Sequence, residues 1–582
     1  MALHALLWLA GAGAVLASSS FDYVIVGAGT SGLVIANRLT EDPSVTVAVI
    51  EAGGDERDNP LVYDADAFGA ALGSSVSWNY TTTPQAGANN RSMPFNYGRA
   101  WGGTSAINAM TYIRASKEEI DAWEELGNTG WNWDALLPYY IKSEKYVAPT
   151  PDQVDAGATY EIEHHGLEGP VRVGYTAALV NTSTAPLIID TWEGLSVPLN
   201  PDLNSGDNRG IAMGPQTRDP ATNRRWDSAT AYLHPVEDRP NLKIFQGTAE
   251  RLTWAKGAAS KCAGLVAEGV RYLTPDDEVV EVKARKEVIV SAGSYRTPGL
   301  LEKSGVGSPR ILASHGIETK INLPGVGENL VDPPNVFLAT YADLEGLNNA
   351  FHVYLTVDQL FGSEVDAIAE SMSAKIPAWA RATAAESGGQ TVDAAAVERV
   401  MRVQHDLLFD KKVPVVEVIV VTPPGAGGLG TQYWPSFPFS RGSIHLGERD
   451  DNPLIDPRLY FVDSDMDVMV AAGRALAKFF VSPPLSSVAS AIALPPLGPE
   501  ATDEDWAAFF RQEASQTAHP FGTASMMSRE LGGVVDPELR VYGTANVRVV
   551  DSSVFPLQIS GHPTATLYAV AERAADIIRG VI

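Results

Sequence analysis

The chain has 582 residues, of which 45% are hydrophobic and 19% charged, enough apolar content for a large globular protein of two domains. Its 70 acidic against 43 basic residues give a formal net charge of −27, which excludes nucleic acid and anionic membrane surfaces as partners. The 52 glycines and 38 prolines follow no period, so they signal turns rather than disorder.

Residues 1–17 are expected to form a secretory signal peptide, an apolar run from Ala2 that closes on small residues at Ala17. The alternative is an apolar start continuing into the first strand. Beyond it, no segment is long enough to span a bilayer. Asn79, Asn90 and Asn181 each open an N-x-S/T triplet and are candidate glycosylation sites.

A dinucleotide-binding fingerprint follows: a buried strand from Phe21 to Gly27, the turn Gly27-Ala28-Gly29-Thr30-Ser31-Gly32, a helix through Leu39 and a second strand from Val45 to Glu51. Gly27 permits the turn, Gly29 lets backbone approach a pyrophosphate, and Gly32 allows close packing of helix on strand. Thr30 and Ser31 open the helix whose N-terminus faces the phosphates. Glu51 is placed for the adenosine ribose hydroxyls, which disfavours NADP and leaves NAD and FAD open.

Asp55 to Asn96 lacks periodicity and is expected to be loops or a lid. Gly98 to Asn108 sets the pair Gly102-Gly103 among small hydroxyl residues, a composition suited to backbone passing close to a flat, charged ligand or to an ordinary glycine-rich turn. Helical patterning runs from Ala115 to Tyr140. His164-His165 is expected on an exposed loop, without a metal; Cys262, the only cysteine, excludes an internal disulfide. Strands are expected over Leu242–Trp254, Gly264–Tyr272 and Glu278–Ser291, the last running into Ala292 and Gly293 beside the adenosine end of the cofactor. Leu338 to Phe480 mixes helix and strand patterns, with an amphipathic helical region over Ala367–Arg402, and reads as the substrate domain.

Two histidine motifs close the chain, His519-Pro520-Phe521-Gly522-Thr523 and Gly561-His562-Pro563-Thr564. Either histidine alone suits a satisfied buried polar group; as a pair with the fingerprint they suit acid–base work on an alcohol.

Gly98 to Asn108 and beyond, Gly293 to Gly307, and Val541 to Asp551 followed by Gly561-His562 together resemble the glucose-methanol-choline (GMC) oxidoreductase family over nearly the whole mature chain. The resemblance implies an α/β fold with a Rossmann-type FAD-binding domain, discontinuous in sequence, and a substrate-binding domain with an antiparallel sheet and helices. It implies residues 18–330 mainly in the FAD-binding domain, 331–534 mainly in the substrate domain, and 535–582 returning to the first. FAD contacts are implied at Arg99, Gly102, Gly103, Thr104, Asn108, Ala109, Met110, Thr111, Ala292, Asp551, Pro563 and Thr564, beside the fingerprint residues. His519 would be the general base for hydride transfer to flavin N5, with His562 bonding the substrate oxygen. Oxygen or a quinone would reoxidise the flavin; a homodimer is one assembly the sequence leaves open.

The motifs look closest to the fungal glucose oxidase and glucose dehydrogenase branch, but Ser515 stands where sugar-oxidising members carry arginine. Glu513 and Thr517, with Ser515 the candidate substrate-pocket residues, also differ from the pattern. The expected substrate is therefore an aryl or secondary-metabolite alcohol, with a sugar oxidase or dehydrogenase, or a non-redox cyclase or dehydratase keeping FAD structurally, as alternatives. In Asn329-Leu330-Val331-Asp332-Pro333, Val331 and Pro333 depart from the family's usual residues, so altered loop bonding is expected there.

Overall fold

The computed structural model describes residues 19–179, 182–256, 264–387, 392–422, 427–447, 452–498 and 500–582. The expected signal peptide, Asn181 and Cys262 lie outside these residues.

The first sheet runs Leu242–Gln246, Val47–Glu51, Ser19–Val26, Val279–Val290, Ala267–Leu273, Thr248–Trp254, with Val547–Val549 beside Val279–Val290. Its centre is parallel, with Val24 opposite both Ala48 and Val288, whereas Ala267–Leu273 returns antiparallel as a hairpin. Val24, Ile25, Val47 and Val49 are fully buried, as strands covered on both faces must be. The Thr30–Leu39 and Pro563–Arg579 helices cover one face, tied by Arg38 Nη2 to buried Glu572 at 2.6 Å. Val547–Val549 and the Pro563–Arg579 helix thus join a sheet and helix begun at Ser19–Leu39.

The second sheet is antiparallel, in the order Ala489–Leu494, Pro334–Ala342, Leu429–Pro435, Val416–Val421, Phe351–Leu355, Gly210–Met213, with the two-residue strand Ser515–Gln516 on Pro334–Ala342. Its register sets Glu417 opposite Trp434 on one side and Tyr354 on the other. His352, two residues before Tyr354, shares that face because strand side chains alternate. Among the described residues no helix is long and apolar enough to cross a membrane.

Two local expectations are corrected and one, the helical region, is refined. Asp55–Asn96 is not all loop: Ser77–Thr81 and Pro94–Gly98 form an antiparallel pair that buries Tyr80 and Phe95. These short alternations are masked in sequence by the surrounding Gly and Asn. The Ala367–Arg402 region is two helices, Val365–Glu386 and Ala394–Phe409, the second started by Asp393 accepting from Ala395 N. His165 is not on an exposed, solvated loop. Its ring is buried, with Nδ1 2.9 Å from Glu144 and Nε2 2.8 Å from Asp202, and stacks on Tyr146 at 3.6 Å.

Candidate functional site

A cleft opens along the carboxyl ends of the parallel strands, where ligands bind in open α/β sheets. Gly27, Gly29, Thr30, Ser31, Glu51, Gly103, Thr104, Ala292 and Asp551 line it, with Trp78, Tyr97 and Arg296 across from them. The backbone there leaves no room for side chains. Gly27 has φ +103°, and a Cβ on it would lie 2.3 Å from Ser291 O; one on Gly103 would lie 2.7 Å from Gly29 Cα. A Cβ on Gly32 would lie 2.0 Å from Gly27 O, which is the close helix–strand packing expected of it.

Two carboxylates shape this cleft. Glu51 accepts from Ala28 N at 2.8 Å and Gly53 N at 2.6 Å, and burial pushes its carboxyl above the usual range. Asp551 accepts from Gly293 N at 2.9 Å and Thr297 Oγ1 at 2.7 Å. Buried Ser31 Oγ and Ser291 Oγ have no protein partner. A cleft lined by the start of the first helix, with an acid at the second strand's end and two orphaned hydroxyls, fits a dinucleotide cofactor.

The other expected cofactor residues do not line this cleft. Arg99 stacks over Trp78 at 4.6 Å, and Gly102 N bonds Ala28 O at 2.9 Å. Asn108 Nδ2 donates to Thr564 Oγ1 at 3.2 Å, joining the glycine-rich loop to the first turn of the last helix, where Pro563 is its first residue. Asn108 Oδ1 also accepts from Met110 N, and Ala109 O and Thr111 meet Gln216.

Beyond the glycine-rich loop the structure brings together the two histidines, 43 residues apart in sequence. The rings of His519 and His562 lie 4.9 Å apart at 81°. Trp434 stands edge-on to both, 5.7 Å from His519 and 6.1 Å from His562. Glu417 Oε1 accepts from His562 Nε2 at 2.9 Å and His352 Nδ1 at 3.0 Å. Burial alone would raise the Glu417 carboxyl, but the two imidazoles hold it well below the usual carboxylate range. Burial, with His562 beside it, pushes His519 down to about 3, so its imidazole is a neutral acceptor at ordinary pH.

His519 is also held through its backbone, whose N–H donates to Asp332 Oδ1 at 3.1 Å; Tyr295 Oη donates to Asp332 Oδ2 at 3.1 Å. Burial pushes Asp332 up to about 7. Val331 and Phe521 exchange backbone bonds at 3.0 and 3.2 Å, and the Pro333 carbonyl accepts from Thr517. Here Val331 and Pro333 contribute backbone groups to these contacts, which their altered side chains leave available.

Glu513 is exposed at the end of the Asp503–Glu513 helix. Ser515, also exposed, donates to Asn335 O at 3.2 Å, and Thr517 donates to Pro333 O at 2.7 Å. Both hydroxyl protons are thereby directed at backbone rather than at His519. Glu417, His352 and Trp434 were not expected from sequence. The available signal was an acid inside the apolar run Val415-Val416-Glu417-Val418-Ile419, which a buried strand tolerates only with a partner.

Profiles of the family described as GMC oxidoreductase match residues 21–335 and 438–571. The glucose oxidase-like protein fsoC of Humicola fuscoatra is 54% identical over 99% of this chain and 98% of its own. Glucose oxidase of Aspergillus carbonarius is 32% identical over 97% and 93%. Among solved structures, an FAD-dependent oxidoreductase from Chaetomium thermophilum superposes with TM-score 0.87 at 29% identity, covering 96% of this chain and 99% of that one. A fungal aryl-alcohol oxidase gives 0.83 at 27% identity, covering 96% and 99%. The chain therefore belongs to the GMC oxidoreductase family and is an FAD-dependent alcohol oxidase or dehydrogenase, acting on the CH–OH group of its donor.

Proposed function

We propose that this enzyme is secreted and oxidises an alcohol other than glucose, with an aryl or secondary-metabolite alcohol as its substrate. His519 takes the hydroxyl proton, and His562 bonds the substrate oxygen as the carbonyl forms. Bound FAD supplies the two-electron acceptor for the carbon-bound hydrogen. Glu417 orients His562 and balances charge on it, as a carboxylate behind an imidazole does. Glycosylation at exposed Asn79 and Asn90 fits a secreted chain.

The observation that carries the substrate reading is the indole of Trp434, edge-on to both imidazoles and buried beside them. An aromatic ring at this position favours a substrate that itself carries a ring, with which such rings pack edge-on or offset. Ser515 supplies no cation for sugar hydroxyls, a loss of a few kcal/mol of recognition for glucose. A second reading, a sugar oxidase or dehydrogenase, is favoured by the 54% identity to a glucose oxidase-like protein. Steady-state kinetics on glucose and a benzylic alcohol series separate the two: benzylic kcat/KM at least tenfold above glucose supports the first, and the reverse order supports the second.

A further inference from the structure

Glu119 is the third residue of the short Lys117–Asp121 helix, and its side chain completes a capping box by accepting from Ser116 N at 3.2 Å. Capping glutamates ordinarily face water, yet this one is 1% exposed. Its carboxylate also accepts from Ser560 N at 2.9 Å and from Ser560 Oγ, across 441 residues of chain. Asn208, fully buried, donates to Ser560 Oγ at 3.0 Å and accepts from Ser116 Oγ.

Ser560 lies two residues before His562. The next residue, Gly561, has φ +75°, and a Cβ on it would lie 2.5 Å from Arg114 O. His562 N then donates to Ile113 O at 3.0 Å. The segment 113–116 is itself fixed: Arg114 N donates to Asn204 Oδ1 at 2.9 Å, and its guanidinium meets Glu144 at 2.7 Å. The turn carrying His562 is therefore seated on a buried polar shelf, and only Glu119 reaches from that shelf to both donors of Ser560.

We propose that Glu119 is a positioning residue for the reaction, setting the place of the His562 ring through Ser560. It touches neither cleft nor imidazole and acts through the turn's backbone. Displacing a reacting group by about 1 Å can cost 10²-fold in rate, which is the scale on which this contact works. The proposal rests on the reading of His562 as a residue of the site.

The test compares E119A, E119Q, S560A, H562A and the E119A/H562A double variant as holoenzymes, with kcat expressed per bound flavin on the best alcohol. E119A and S560A are expected to lower kcat about 10- to 100-fold with KM changed less than about threefold, E119Q to recover most of the loss, and E119A to add nothing in the H562A background. S560A, the milder change, keeps the test open if E119A does not fold. Wild-type kcat per bound flavin in E119A, or in S560A where E119A does not fold, alongside an impaired H562A, or full additivity in the double variant, overturns the positioning role. A wild-type rate in H562A instead overturns the reading of His562 itself.

Discussion

Glu417 Oε1 lies 2.9 Å from His562 Nε2, with both groups buried and the carboxylate held in its charged form. The same oxygen receives His352 Nδ1 at 3.0 Å, so two imidazoles share one negative charge at the sheet's inner face. Replacing Glu417 with Gln keeps an acceptor for His562 Nε2 but removes the buried negative charge that both imidazoles face. E417Q is expected to lower kcat by about 10- to 100-fold, and E417A by more, because it also leaves two buried imidazoles without a partner. Stopped-flow reduction of the bound flavin by substrate measures both; unchanged reduction in E417Q contradicts the role.

His519 is neutral above about pH 3, since burial and His562 oppose its protonation. A base that is already unprotonated gives no acid limb. The kcat/KM profile is expected to stay level from about pH 5 to 8 as far as His519 is concerned. An acid limb near 6.5 that disappears in H519A would contradict this.

His165 titrates in the opposite sense. Burial alone would lower it, but Asp202 and Glu144 on its two nitrogens raise it to about 9. Its unfolded value is about 6.5. Its contribution is therefore fully present below pH 6.5 and is lost as pH rises through 9, by ~3 kcal/mol at most. Urea unfolding at pH 6 and pH 9 should show a larger loss for wild type than for H165N. Equal losses would remove the linkage.

The cleft's backbone geometry predicts a cofactor effect separable from catalysis. A Cβ at Gly103 meets Gly29 Cα at 2.7 Å, at φ +55°. G103A is expected to weaken FAD retention at least tenfold, read by flavin release on dilution, while H519A retains FAD as wild type does. Normal retention in G103A would show that this contact yields without consequence.

The fingerprint was legible in sequence because each glycine there answers a local steric demand, as Gly27 against Ser291 and Gly32 against Gly27 demonstrate. His519 and His562 stood out through their motifs. Glu417, His352 and Trp434 did not, because they meet only through the register of three strands, Phe351–Leu355, Val416–Val421 and Leu429–Pro435. No local pattern encodes which strand pairs with which. His165 was misread for a related reason: its partners Glu144 and Asp202 are 21 and 37 residues away, and an adjacent histidine pair carries no trace of them. The Ala367–Arg402 region was legible as helical, and its sequence carries the breaker Ser387-Gly388-Gly389 and the N-cap Asp393 between the two helices.

His519 and His562 together are proposed to serve alcohol oxidation in this fold, and anaerobic mixing of the yellow holoenzyme with benzylic alcohols, aliphatic alcohols and sugars, alongside H519A, tests this. Rapid bleaching of wild type by a benzylic alcohol, slowed at least about 10²-fold in H519A, is the predicted result. A flavin that no alcohol bleaches, or one bleached equally fast in H519A, would rule out this role for the two histidines.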